Sequence, residues 1–232
     1  MITKNENLDC HLTNEEKPNI IFLGAPGAGK GSIASRIVKE YDYYQLSTGE
    51  MFREEIRKQT PLGLEIKSIL DSGKYVDDSL TNRLVEQKVT ELVNNHKPFI
   101  LDGYPRTIDQ ANFLRSLEQK GIKIGKVILL NITSEQVIER LSKRRVCSNC
   151  KKIYHLQFNP PKQEGICDKC GASVVKRADD EPEVIKKRLA IYSEQTQCLI
   201  GYYKDLSILS EINSYQEYES VYSDVKKALK WF

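Results

Sequence analysis

The chain has 232 residues, 40% of them hydrophobic and 29% charged, and Lys+Arg 35 against Asp+Glu 32 leaves a formal net charge of +3. That length supports one sizeable core, or one domain with insertions. The balance is too near neutral to argue for nucleic acid or a membrane surface as a partner, and no apolar run approaches the roughly 20 residues of a membrane span.

Residues 1–17 are polar, carry no apolar stretch of the kind a secretory signal needs, and read as a flexible extension. A cytoplasmic, reducing setting is therefore the expectation. Residues 19–24 read as a buried strand and Lys30–Tyr41 as a helix. Two short helices follow over 47–58 and 61–71, the second opened by Thr60-Pro61. Residues 77–95 predict a longer amphipathic helix with Leu80, Leu84, Val85, Val89 and Leu92 on one face, and Asp77 at its start. A strand over 98–102 precedes a helix over 107–120, capped by Thr107 and ended near Gly121. A strand over 126–132 and a helix over 134–145 complete the periodic part. The pattern breaks over 146–176, which are rich in Cys, Lys, Gly and Pro. A long helix resumes over 181–206, with a last strand over 207–213 and a last helix over 215–232. Strands alternating with helices predict a parallel sheet covered on both faces, with the cysteine segment inserted into it.

Between the first strand and helix lies GAPGAGK, residues 24–30, which matches G-x-x-x-x-G-K. Glycines let a backbone curl with its N–H groups pointing inward and approach phosphate oxygens closely. The helix that follows adds its N-terminal partial positive charge, and Lys30 adds a point charge. A glycine turn without a ligand is the alternative, and the strand–loop–helix context favours the phosphate cradle. Gly31 stands where the strict pattern has Ser/Thr, and Ser32 follows.

CSNC (147–150) and CDKC (167–170) give C-x₂-C, sixteen residues, C-x₂-C. That is the spacing of a closed, structural four-thiolate metal site of Cys147, Cys150, Cys167 and Cys170, which replaces a core that a short segment cannot build. Zinc is the first choice and iron the second. Two disulfides or four free thiols are the remaining alternatives. Cys198 is expected to be a buried helix residue, and Cys10 lies in the polar extension.

Several blocks, in order, carry a resemblance: GAPGAGKGS, LSTGEMFR, GKYVDDSL, FILDGYPRTIDQA, ERLSKRRVCSNC, YHLQFNPPK, CDKCG, KRADDEPEVIKKRL and IGYY. From about residue 19 to about residue 205 the sequence resembles the adenylate kinases, in their long form with a metal-binding lid. The resemblance implies an α/β fold of the P-loop NTPase type, a parallel sheet flanked by helices with an AMP-binding helical insertion and a zinc lid. It implies one kinase domain over 18–232: a core (18–46, 77–144, 181–232), the AMP-binding insertion (47–76) and the lid (145–180). The activity implied is ATP + AMP ⇌ 2 ADP, with Mg²⁺ accompanying ATP, Zn²⁺ in the lid and the chain a monomer.

The same resemblance assigns residues. Gly27, Ala28, Gly29, Lys30, Gly31 and Ser32 would hold ATP phosphates. Arg140 and Arg144, four apart on one helix face, would meet the ATP base and phosphates, with Ile153 and Tyr154 near the base. Thr48, Val76 and Gln110 would meet the AMP base, Arg53 and Arg106 its phosphate, and Gly103 would belong to the same AMP site. Related uridylate/cytidylate kinases tend to carry Ala where Thr48 stands. Asp102 resembles the aspartate that orders water around Mg²⁺. Arg177 and Arg188 would reach the transferring phosphoryl group, and Asp179 and Asp180 would pair with those arginines. His155 reads as lid packing.

The departures are Glu50 for the usual Asp, Ser32 for Thr, Ile33 for Gln, and residues 208–219, where the family's glycine turn is missing and Asn213 or Ser214 would substitute. Two rival functions follow: transfer to UMP, CMP or GMP, and a non-catalytic nucleotide- or metal-responsive binding protein.

Overall fold

The computed structural model describes residues 17–230. The expected extension, apart from Lys17, lies outside the described residues with Cys10, as do the last two residues of the terminal helix. Strand β1 (Asn19–Leu23) continues into the glycine loop and helix α1 (Lys30–Tyr41). Strand β2 (Tyr44–Ser47) leads directly into helix α2 (Thr48–Arg57), followed by α3 (Pro61–Asp71) and α4 (Asp78–Asn94). Strand β3 (Phe99–Asp102), helix α5 (Ile108–Ser116), strand β4 (Ile124–Asn131) and helix α6 (Ser134–Lys143) follow. A small sheet of β5 (Arg144–Cys147), β6 (Ile153–His155) and β7 (Val174–Val175) precedes α7 (Pro182–Ile191), α8 (Leu199–Asp205), β8 (Leu209–Asn213) and α9 (Tyr218–Leu229).

The main sheet has the order β2-β3-β1-β4-β8 and all its pairings are parallel. The buried runs of its central strands, Ile20–Leu23, Phe99–Leu101 and Val127–Leu130, are apolar because both faces are covered. In β1, Ile21 and Leu23 enter one core with Val85, Val89 and Leu114, while Ile20 and Phe22 enter the other with Ile33, Ile37 and Tyr222. Every strand ends on the same edge, and there the glycine loop, Thr48, Asp102 and Ser214 sit side by side.

Helix starts follow the chemistry of orphan N–H groups. Thr60, Asp77 and Thr107 each accept from the first turn of their helices, and Thr133 forms a capping box with Gln136. Helices α2 and α3 and the segment after them build a separate small cluster around Phe52, Ile66 and Val76. Gly63 lets α3 lie on α2: a Cβ there would stand 2.1 Å from the Glu55 carbonyl oxygen.

The structure differs from the sequence reading at several places. Residues 44–47 form the edge strand β2, where the sequence pattern predicts no strand and starts a helix at 47. The apolar face expected of α4 is divided, with Leu80 and Leu84 packing on the Phe52 cluster and Val85, Val89 and Leu92 on the sheet. Helix α6 stops at Lys143, and Arg144 has extended backbone (φ −70°, ψ 139°) as the first residue of β5. Arg140 and Arg144 therefore do not share a helix face. The segment after Arg145 holds a three-stranded antiparallel sheet, order β6-β5-β7. The long helix over 181–206 is interrupted by a π turn at Tyr192–Thr196, where the Gln197 N–H reaches back to Tyr192 O. Cys198 is exposed rather than buried, and the last helix begins at Tyr218.

Candidate active site and metal centre

The glycine loop owes its shape to three residues with positive φ: Gly24 (138°), Gly27 (80°) and Gly29 (99°). A Cβ on Gly24 would meet Leu130 O at 2.6 Å. Lys30, first residue of α1, folds back over the loop and donates to the carbonyls of Gly24 (2.7 Å) and Ala25 (3.0 Å). Burial pulls its pKa from 10.5 down to about 8, opposed by Asp102 and reinforced by Arg106, Arg188 and Arg144. Asp102, the last residue of β3, accepts from Gln45 Nε2 at 3.0 Å. Its Oδ2 lies 3.3 Å from where a Cβ on Gly31 would stand, so only glycine leaves that gap open. Gly27, Ala28, Gly31 and Ser32 complete the loop and the first turn of α1.

On the other side of the edge, a cleft opens between the core and the α2–α3 insertion. Thr48, Arg53, Val76, Gly103, Arg106 and Gln110 line it together with Asp179 and Arg188. Thr48 donates to Gly103 O at 2.8 Å. Gly103 has φ 81°, and a Cβ there would stand 3.0 Å from the Arg106 guanidinium and 3.3 Å from Thr48 Oγ1. Gln110 is buried: its Oε1 accepts from the Arg106 N–H (2.7 Å) and its Nε2 donates to Asp78 (2.6 Å). Pro26, Tyr75 and Thr81 also line this cleft. Pro26 and Tyr75 fall within the GAPGAGKGS and GKYVDDSL blocks but carry no assigned role there, and Thr81 lies outside any block.

Four arginines converge at the back of the cleft. Arg144 donates to both oxygens of Asp180 (2.7 and 2.5 Å), and Arg177 to both oxygens of Asp179 (2.8 and 2.7 Å). Arg188 lies 3.2 Å from Asp179 and 3.3 Å from Asp180. Arg53 pairs with Glu50 at 2.6 Å and stands 3.9 Å from Asp179. Such bidentate pairs are geometrically specific. Burial alone would raise the pKa of Asp179, but Arg177, Arg188 and Arg144 hold it far below the carboxylate range. Burial and the neighbouring arginines push Arg188 down, with Asp179 opposing. The arrangement is a cluster of arginines whose charges are already paired with two buried carboxylates, Asp179 and Asp180.

Arg140 points to the opposite end, donating to Ser214 O at 2.6 Å with its guanidinium 5.5 Å from the Tyr215 ring. Ser214 is itself tied to Asn131 O through both N–H and hydroxyl. Ile153 is partly exposed on the small sheet, whereas Tyr154 is turned into it: its hydroxyl donates to Cys167 Sγ at 3.2 Å and accepts from the Asp168 N–H at 2.8 Å.

Cys147, Cys150, Cys167 and Cys170 bring their sulfurs within 4.8 Å of one another. The pairs Cys147–Cys170 and Cys150–Cys167 are 3.4 and 3.5 Å apart, too long for disulfides, whose S–S distance is about 2.05 Å. Four thiolates around zinc at about 2.3 Å stand roughly 3.8 Å apart. Backbone N–H groups of Cys150 and Lys169 donate to Cys147 and Cys167 sulfurs at 3.4 Å, which stabilises thiolate. The residues fit a closed tetrahedral metal centre. His155, by contrast, uses Nδ1 to accept from the Gln157 and Phe158 N–H groups and stacks on Phe158.

A family model described as adenylate kinase matches residues 22–208. The adenylate kinase of Mycoplasma mobile is 49% identical over 212 residues, 90% of this chain and 96% of that one. The adenylate kinase of Bacillus subtilis is 43% identical over 212 residues, 91% of this chain and 97% of that one, and that of Thermoanaerobacter pseudethanolicus is 44% identical over 211 residues, 90% and 97% respectively.

Proposed function

The chain belongs to the adenylate kinase family as an ATP:AMP phosphotransferase, and from that premise we propose how its residues divide the work of ATP + AMP ⇌ 2 ADP. An oxygen of the AMP phosphate bonds to the γ-phosphorus of ATP as the bond from that phosphorus to the β–γ bridging oxygen breaks. The acceptor is already an anion, so no general base is needed, and catalysis consists of alignment and neutralisation of charge.

The loop residues Gly27, Ala28, Gly29, Lys30, Gly31 and Ser32 cradle the ATP phosphates. Lys30 exchanges its two carbonyl partners for phosphate oxygens. Arg53 and Arg106 clamp the AMP phosphate, while Thr48, Val76, Gly103 and Gln110 shape the pocket for its base and ribose. Arg144, Arg177 and Arg188 leave Asp179 and Asp180 for the oxygens of the transferring group. Arg140, with Ile153 and Tyr154 on the small sheet, marks the ATP end. Tyr154, hydrogen-bonded to Cys167, contributes through the sheet it stabilises. Asp102 and the Ser32 hydroxyl offer the hard oxygen ligands that Mg²⁺ prefers, in a gap that Gly31 keeps open. Mg²⁺, when bound, would neutralise phosphate charge. Zn²⁺ suits the four thiolates. The insertion (47–76) and the lid (145–180) close over the core to exclude water. A cytoplasmic monomer completes the reading, since a reducing compartment keeps the four thiols available for metal.

One observation carries this reading: Lys30, Arg53, Arg106, Arg144, Arg177 and Arg188 gather at the cleft and the loop beside it, where the carboxylates nearest to them are Glu50, Asp102, Asp179 and Asp180. The surplus suits a triphosphate and a monophosphate held end to end. A coupled assay with Mg²⁺-ATP and, separately, AMP, CMP, UMP and GMP tests it. ADP formation with AMP is expected. A pyrimidine preference would overturn the roles of Thr48 and Gln110, and no turnover with any acceptor from folded, zinc-loaded protein would overturn the reading as a whole.

A further inference from the structure

The interruption of the helix at Tyr192–Thr196 has a local consequence. Around it Ser193, Glu194, Gln195 and Gln197 are exposed, but Thr196 is buried at 6% exposure. A π turn adds one residue to the helical register, and such turns recur at functional sites. Here the extra residue turns one hydroxyl inward. Thr196 Oγ1 donates to Arg106 O at 2.8 Å. Its single proton is thereby used, so the 2.8 Å contact with Tyr75 Oη is one in which the tyrosine donates. The ring of Tyr75 in turn lies under the Arg106 guanidinium, whose central carbon is 4.7 Å from the ring centroid, and Arg106 Nε donates to Gly103 O at 2.7 Å.

These contacts form a closed circuit. It runs from the Arg106 carbonyl through Thr196 and the Tyr75 hydroxyl and ring to the Arg106 guanidinium. Its three residues come from three separate pieces of chain: the exit of the α2–α3 insertion, the loop after β3, and the π turn after α7. We propose that Tyr75 and Thr196 are positioning residues that hold Arg106 at the acceptor phosphate and tie the insertion to the helix that follows the lid. The proposal rests on Arg106 binding the acceptor phosphate. A guanidinium on a long side chain has several rotamers, and an aromatic face beneath it together with a fixed carbonyl behind it removes most of them before the anion arrives. Tyr75 adds the face, and Thr196 fixes both the backbone and the tyrosine.

The test is steady-state kinetics of the full chain with Mg²⁺-ATP and AMP each varied, on Thr196→Val, Thr196→Ser, Tyr75→Phe, Tyr75→Leu and Arg106→Ala, with thermal melts of each. Losing two hydrogen bonds in the circuit should lower kcat/KM for AMP about tenfold in Thr196→Val, while KM for ATP changes less than twofold. Thr196→Ser keeps the hydroxyl and should return to within twofold of the parent. Tyr75→Phe keeps the ring and should lose about threefold, and Tyr75→Leu more. If Arg106→Ala is impaired while Thr196→Val and Tyr75→Phe keep the parental kcat/KM for AMP, the circuit has no positioning role. It also fails if ATP and AMP constants worsen together, or if Thr196→Ser does not rescue. If Arg106→Ala keeps the parental rate, the phosphate role of Arg106 falls, and the proposal with it.

Discussion

Asp180 is the carboxylate whose removal should be felt most. Its side chain is fully buried and receives two hydrogen bonds from Arg144 and a third contact from Arg188 at 3.3 Å. Asp180→Asn keeps the shape, removes the charge and turns an NH₂ group toward a guanidinium. Breaking a buried ion pair from one side costs about 3–5 kcal/mol. Asp179 remains close to Arg188, so the lower end, about 3 kcal/mol, applies. In a chain of this length each ~1 kcal/mol moves Tm by about 2–4 °C, which gives a fall of roughly 6–12 °C by calorimetry. The sharper consequence concerns ligand. In the variant, polyphosphate supplies charge that the arginines lack, so saturating ATP should raise its Tm by several degrees more than it raises the parent's. A melt within about 3 °C of the parent, or an equal response to ATP, would refute the view that these carboxylates hold the arginines in place of phosphate.

Lys30→Met should lower kcat by about 10²–10³-fold with Tm little changed, and a near-normal rate would remove the loop lysine from the mechanism. Because burial lowers its pKa to about 8, Lys30 is mostly neutral above that pH in the free protein and must take up a proton when anionic phosphate arrives. Calorimetric titration of Mg²⁺-ATP in buffers of different ionisation enthalpy should detect more proton uptake at pH 8.5 than at pH 6.5, and Lys30→Met should remove that excess. The same shift means the unfolded chain binds more protons than the folded one between pH 8 and 10.5, so this group's contribution to stability rises across that interval. Stripping metal with a chelator should release one equivalent of zinc to a metallochromic dye, abolish activity and lower the melting of residues 145–180 selectively. Gly24→Ala should cost more than about 2 kcal/mol in urea unfolding, since its Cβ would meet Leu130 O at 2.6 Å with φ at 138°.

What the sequence revealed and what it hid divide along physical lines. The central strands were legible because both their faces are buried and each carries an unbroken apolar run, Ile20–Leu23, Phe99–Leu101 and Val127–Leu130. Helix starts were legible because Thr60, Asp77 and Thr107 cap locally. The glycine loop and the cysteine pairs were legible because their chemistry depends on spacing. Strand β2 was not, being an edge strand of four residues with only Leu46 fully buried. Strands of two to four residues in the small sheet leave no period to read. The break after Ile191 was hidden because residues 192–199 contain neither Gly nor Pro, and a π turn leaves no compositional trace. Thr196 and Tyr75 lie 121 positions apart, and nothing in either neighbourhood announces the other. For the same reason Arg144 could be named from its motif while its backbone was assigned to the wrong element.

The small sheet is inserted between α6 and α7, and these two helices pack directly through Val137, Leu141 and Ile185. The two ends of the insertion are therefore held side by side by the core, whatever the state of the metal. Disordering it adds a loop whose ends are already joined. The entropy of such a loop grows only with the logarithm of its length, so the cost to the rest of the molecule is small. The core can complete its folding before any metal arrives. A metal at the four thiolates would then act late, ordering a loop that is already tethered. A cell short of the metal would hold a reserve of folded but uncovered enzyme, ready to be activated without refolding.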